Sequence, residues 1–125
     1  MHFLKYISYV FSLTLAVVLL GCASAYTETG KASYYNSKLS GKKMANGDNY
    51  RPGKLTAAHK TLPFGTKLKV TNLKTGKSVK VKVTDRGPFS AERVVDLSYK
   101  AAKKVDLVQA GVAPVKIKVV GKKRS

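Results

Sequence analysis

Three stretches of the chain alternate apolar and polar residues with a period of two. They are Lys67-Leu68-Lys69-Val70-Thr71-Asn72, Ser78-Val79-Lys80-Val81-Lys82-Val83-Thr84 and Val115-Lys116-Ile117-Lys118-Val119. Successive side chains of an extended chain point to opposite faces, so the pattern predicts strands buried on one face and wet on the other. Leu73-Lys74-Thr75-Gly76 links the first two and predicts a hairpin. Lys31–Tyr35, Leu55–His59 and Val94–Leu97 read as shorter, less regular strands. Ser98 is placed as the N-cap of a helix of one or two turns over Tyr99–Val105. Six short strands and a short helix predict a small closed β-barrel, an architecture that leaves no exposed sheet edge.

The chain before Gly30 follows another pattern. Tyr6–Leu20 is almost wholly apolar and follows a single cation, Lys5. The run is shorter than the roughly 20 residues that span a bilayer as a helix, and suits a secretory signal over residues 1–21. Leu19-Leu20-Gly21-Cys22 resembles the bacterial lipobox, in which the signal is cut before the cysteine and the cysteine is acylated. Residues 22–29 are then the lipidated Cys22 and a short polar tether, 30–120 the barrel domain, and 121–125 a basic tail. Acyl chains add about 0.8 kcal/mol of membrane attachment per buried CH₂. Ala23 stands where an Asp would resemble an inner-membrane retention signal. The expected location is the cell envelope, anchored to the outer membrane and facing the periplasm.

Composition adds a constraint and a question. The 125 residues include 24 Lys and Arg against six Asp and Glu, a formal charge of +18. Such an excess points to a polyanionic neighbour. Lys67, Lys69, Lys80, Lys82, Lys116 and Lys118 all fall on the polar side of the alternating strands. Two readings of them stay open: a solvated face that resists aggregation, or attraction to anionic outer-membrane lipid and wall carboxylates. Nucleic acid is disfavoured, because the leader sends the chain out of the cytoplasm and the tyrosines form no base-stacking array. The single cysteine excludes a disulfide framework and a multi-Cys zinc site. Any carboxylate chemistry must come from Glu28, Asp48, Asp85, Glu92, Asp96 or Asp106.

Three segments interrupt the alternation: Met44–Tyr50, Leu55–Thr66, and Val83–Phe89 with Arg93–Ser98 behind it. They hold Asp48, Asp85, Asp96 and His59. Gly30–Ser33 followed by Tyr34-Tyr35, then ANGD, LTAAHKTLPFGT, VTNL, TDRGPF and VVDLS, resembles the rare lipoprotein A family over nearly all of 30–120. These are double-psi β-barrel lytic transglycosylases of the bacterial septum. The resemblance implies a mainly β fold, a six-stranded double-psi β-barrel with one or two short helices, and peptidoglycan as substrate. It implies cleavage of the MurNAc–GlcNAc β-1,4 bond to leave 1,6-anhydroMurNAc ends. That reaction needs a group that first gives and then takes a proton, and stabilisation of an oxocarbenium-like centre. No metal or organic cofactor is called for.

Carried over residue by residue, the resemblance makes Asp48, His59, Asp85 and Asp96 the catalytic candidates. Asp48, as acid and base, stands where the family has Glu in ANGE, and the others position or polarise substrate. Asp is one methylene shorter, and misplacement by about 1 Å can lower a rate about a hundredfold. Tyr34, Tyr35, Asn46, Arg86 and Phe89 are candidates for binding the glycan. A monomer is expected. The alternatives are a non-catalytic, expansin-like wall-binding module and a cationic lipid-binding lipoprotein.

Overall fold

The inward positions of the alternating strands meet in one barrel. The computed structural model describes residues 25–121. The signal segment, Cys22 and residues 122–125 of the basic tail lie outside them. Six strands are present: β1 (Thr27–Tyr34), β2 (Thr56–Ala58), β3 (Lys67–Asn72), β4 (Ser78–Asp85), β5 (Arg93–Leu97) and β6 (Ala113–Gly121). They close in the order β1-β5-β2-β4-β3-β6. Two neighbouring pairs are parallel, β1 with β5 and β2 with β4; the other four are antiparallel. The mainly β, six-stranded barrel expected from the sequence is therefore present, with one short helix, α1 (Tyr99–Lys104), and a 3₁₀ turn at Ser37–Leu39.

Leu68, Val70, Val81, Val83, Val95, Leu97, Val115 and Ile117 fill the interior and are almost completely buried. Helix α1 and the turn after it add Ala101, Ala102, Val105 and Leu107 to the same core. The Ser98 hydroxyl caps the helix by accepting the Ala101 N–H at 3.3 Å. At the other end of the helix the buried Asn72 amide donates to the Val105 carbonyl at 2.7 Å, which ties the barrel wall to the helix. Val105 is itself the C-cap, so the helix ends at Lys104, one residue short of the predicted end.

Two boundaries differ from the sequence reading. Strand β1 begins at Thr27, so Thr27–Thr29 belong to the barrel rather than to a tether. The segment Thr27-Glu28-Thr29-Gly30 has no apolar alternation to announce a strand. Its pairing comes from β6, which sets Thr27 opposite Lys118 and Glu28 opposite Ile117. For the same reason β6 continues through Gly121, where the tail was expected to start. At Gly30 a side chain is excluded by close approach: a Cβ there would lie 2.4 Å from Val94 Cγ1 on β5.

The outer face of β4, β3 and β6 carries the lysines together. Lys67 stands opposite Lys82, and Lys69 stands between Lys80 and Lys118. All six strand lysines are exposed.

Candidate active site

The opposite side of the barrel is less regular, and the irregularity places the carboxylates. Strand β2 is three residues long and lies between β4 and β5. Its last residue, Ala58, is the partner of Asp85 on one side and of Asp96 on the other. Two strand spacings put their Cα atoms about 10 Å apart. A register shift between Ala57 and Ala58 interrupts the β2–β4 pairing there. Asp85 and Asp96 both line one cleft of about 340 Å³, together with Tyr35, Tyr50, Arg86 and Phe89. That volume lies within the range of small-molecule clefts.

The two aspartates have different surroundings. Asp85 is saturated with donors. Its Oδ2 accepts the Tyr35 hydroxyl at 2.5 Å, and its Oδ1 accepts the backbone N–H of Ala45 at 2.9 Å and of Arg86 at 2.8 Å. Tyr35 is fixed in turn by the Tyr50 ring, edge-on at 5.0 Å between centroids. Burial, then the hydrogen bond to Asp85, pushes the Tyr35 phenol far above its usual range, so it stays a donor. Asp96 is almost the reverse. Its Oδ1 is buried and accepts no hydrogen bond among the described residues. The nearest cation, Arg93 Nη1, is 3.7 Å away, beyond hydrogen-bond range. Burial raises the Asp96 pKa above the usual carboxyl value; the Arg93 charge opposes this and the Asp85 charge adds to it. The net direction is upward because the guanidinium is too far to offset the lost hydration.

Of the nine candidates from the sequence, Tyr35, Asp85, Arg86, Phe89 and Asp96 meet in this cleft. Phe89 is 93% exposed at its rim. Asp48 and Asn46 form a polar turn beside it: the Asn46 amide donates to Asp48 Oδ2 at 3.0 Å, and the Asp48 N–H donates to Asn46 Oδ1 at 2.9 Å. Asp48 lines a second cleft of about 580 Å³ with Arg51, Lys54 and Lys82, separated from the first by Met44, which lines both. Tyr34 points elsewhere. Its hydroxyl donates to the Val108 carbonyl at 3.0 Å and its ring packs on Tyr99. His59 is 2% exposed, faces Glu28 and does not line the cleft. Glu28, which faces His59, and the Ala45 N–H, which donates to Asp85, are contacts of candidate residues that the sequence does not announce. Glu28 sits in a segment without strand alternation, and a backbone donor has no residue type to signal it. No three metal-ligating side chains converge among the described residues.

A closed, mixed barrel of six strands with two parallel pairings defines the class, a double-psi β-barrel. The barrel resembles solved structures of this fold. The Streptomyces papain inhibitor superposes with a TM-score of 0.63 at 24% identity, covering 77% of this chain and 96% of that one. A Clavibacter michiganensis expansin in complex with cellohexaose gives 0.60 at 22% identity, covering 80% of this chain and 53% of that one. The family described as "Lytic transglycolase" matches residues 27–117. The chain belongs to that family and is RlpA-like. Among its relatives are the endolytic peptidoglycan transglycosylases RlpA of Vibrio cholerae, 53% identical over 95 residues, and Campylobacter jejuni, 50% identical over 95 residues. These alignments cover 76% of this chain, but only 36% and 34% of the relatives, so the chain spans about a third of their length.

Proposed function

We propose that this chain is a peptidoglycan lytic transglycosylase, cleaving the MurNAc–GlcNAc β-1,4 bond of glycan strands to leave 1,6-anhydroMurNAc ends. The observation that carries the reading is the aspartate pair flanking Ala58: one carboxylate held by three donors, the other buried with an unpartnered oxygen. Two carboxyl groups whose surroundings differ in this way supply separate roles. The family membership and the names of the relatives support the same chemistry.

In this reading Asp96 starts protonated. It gives its proton to the glycosidic oxygen as the bond to MurNAc C1 breaks, and GlcNAc leaves with a free 4-hydroxyl. The carboxylate left behind takes the proton of the MurNAc C6 hydroxyl as O6 bonds to C1. Asp96 is thereby reprotonated, and no water is consumed. Asp85 faces the positive charge that develops at C1, and its three donors fix it there before substrate arrives. Phe89, exposed at the rim, is a platform for a sugar face. Arg86 and the Asn46–Asp48 turn hold sugar hydroxyls or the lactyl carboxylate. No cofactor takes part.

The test is to incubate the domain with purified sacculi and with peptide-stripped strands, and to weigh the products. Anhydro-ended sugars support the proposal. Retention of the protein on strands without any released sugar supports a wall-binding module instead. Equal turnover in wild type and Asp96→Asn would remove Asp96 from the proton-transfer role.

The envelope placement belongs to the same proposal. The lipobox-like Leu19–Cys22 supports acylation of Cys22 and an outer-membrane anchor facing the periplasm. Cys22→Ser should move the protein from the membrane to the soluble fraction. Closure of the barrel supports a monomer, since among the described residues no strand edge of the barrel is left to pair. The lysine face of β4, β3 and β6 would sit against anionic lipid or wall carboxylates.

A further inference from the structure

His59 is the one histidine among the described residues, and its ring is already occupied. Nδ1 accepts the backbone N–H groups of Thr61 and Leu62, each at 3.1 Å. A ring nitrogen that accepts from N–H donors carries no proton, so the proton sits on Nε2. Nε2 faces Glu28 Oε1 at 3.3 Å. Neither nitrogen is free to reach a sugar in the cleft. Burial lowers the His59 pKa against the opposing effect of Glu28, which keeps the ring neutral.

What the ring organises does reach the cleft. Nδ1 draws residues 59–62 into a tight turn. The His59 and Leu62 carbonyls of that turn accept from a single atom, Arg86 Nη1, at 3.1 and 2.8 Å. The guanidinium also lies 4.1 Å over the Phe64 ring. Its Nε and Nη2 have no partner among the described residues, and Arg86 lines the cleft next to Asp85. The Arg86 backbone N–H is meanwhile bonded to the Asp85 carboxylate.

We propose that Glu28 and His59 are positioning residues for Arg86. Glu28 braces the ring, the ring folds the turn, and the turn's two carbonyls aim the guanidinium at the glycan. The role of His59 is to accept two backbone N–H bonds, not to move a proton. This rests on the cleft being the glycan site, as proposed above.

The idea has a direct test, because an asparagine can do what Nδ1 does. Asn36, Asn46 and Asn72 each accept, through Oδ1, the N–H of the residue two further along this chain. His59→Asn should therefore rebuild the turn, whereas His59→Ala cannot. With peptide-stripped glycan strands as substrate, His59→Ala is expected to lose about a hundredfold in kcat/KM, the scale of a misplaced group. His59→Asn should recover most of the loss, and Glu28→Gln, which keeps an acceptor for Nε2–H, should stay within about twofold of wild type. Nitrogen NMR supplies a readout independent of turnover. The Arg86 side-chain N–H signals should be sharp in wild type and His59→Asn and broadened in His59→Ala. If His59→Ala unfolds, Glu28→Ala takes its place, with a loss of about fivefold and partial broadening, restored in Glu28→Gln.

A folded His59→Asn with ordered Arg86 and no turnover would overturn the proposal, since only the imidazole would then be missing. An Arg86 signal unchanged in His59→Ala or Glu28→Ala would overturn it as well. If wild type neither cuts nor binds glycan, the transglycosylase reading fails. The NMR comparison still decides whether Glu28 and His59 hold Arg86.

Discussion

The two sides of this barrel are built by different rules. On the β4–β3–β6 side, Val and Leu point in, Lys points out, and the strands pair over long antiparallel runs. On the β1–β5–β2 side one pairing is parallel, a second parallel pairing joins it to β4, and one strand has three residues. Register shifts fall inside both parallel pairings, at Lys31/Ala32 and Ala57/Ala58, whereas the single shift of the other side, at Lys67/Leu68, lies at the end of the β3–β6 run. Among the described residues the regular side contains no orphaned buried side-chain polar atom. The irregular side, with the end of β4 where it meets β2, holds a buried carboxyl oxygen without a donor, a buried histidine and the donor-saturated Asp85. Regular alternation secures the fold, and the short β2 with its break in register brings charged groups from separate strands to one place. Buried polar groups of this kind lower stability, so a site can stand only where a well-packed wall offsets it.

That contrast can be broken from the wall. Val70→Asp puts an unpaired charge into the core beside Ile117 and Val79, and should destabilise the domain by more than about 4 kcal/mol. A cooperative melt at the wild-type temperature would show that the wall does not carry the fold. The site side should respond the other way. Asp96→Asn is expected to lower turnover by about 10²–10⁴-fold, the usual range for a general acid, while the melting temperature holds or rises. Asp48→Asn should cost no more than about tenfold, because its carboxylate is exposed and already bonded to Asn46. The reverse ranking would move the acid to Asp48, and a gain in Asp48→Glu would show that reach had limited it.

Tyr35→Phe removes one donor from Asp85. It should lower stability by about 1 kcal/mol and the rate by about tenfold. The pH dependence separates two buried groups of the same side by sign. Asp96 has a raised folded pKa, so its protonated form is favoured in the native state. Its contribution is complete below about pH 3.9, the unfolded value, and is lost as pH climbs through the raised one. His59 has a lowered folded pKa, so the unfolded chain binds more protons, and stability is lost as pH falls below about 6.5. Denaturation measured from pH 3 to 8 should show the first slope vanish in Asp96→Asn and the second in His59→Asn. Lys69→Ala should have the smallest effect. It relieves like charges opposite Lys80 and Lys118, and should stabilise by about 0.2–0.5 kcal/mol at low salt while weakening retention on anionic vesicles.

The sequence spoke clearly where one period governed a strand. Strands β3 and β4, their hairpin, the β6 core and the Ser98 cap all follow from local pattern. Thr27–Thr29 did not, because that part of β1 has no apolar rhythm and is held by backbone bonds to a strand far away in sequence. The motif segments pointed to Asp85, Asp96, Arg86, Phe89 and Tyr35, which meet in one cleft. They did not distinguish the adjoining cleft of Asp48, nor the turn of Tyr34 toward Val108. Which side of a barrel a loop residue faces depends on register shifts, and these leave no mark in residue type. Glu28 was hidden for a related reason: it faces His59, a partner 31 positions away.

Strand β6 has a kinetic consequence. It is the last strand of the barrel and completes both β1 and β3, with Thr27 meeting Lys118 across the seam. Until it is in place the other five strands form an open ribbon with two unpaired margins. Closing the longest loop in the chain is the slow step expected of such a topology. A nascent chain that has delivered the Val-rich hairpin but not residues 113–121 should therefore be at its most adhesive, and the lysines along that hairpin's outer face are where a charge barrier against self-association would help most.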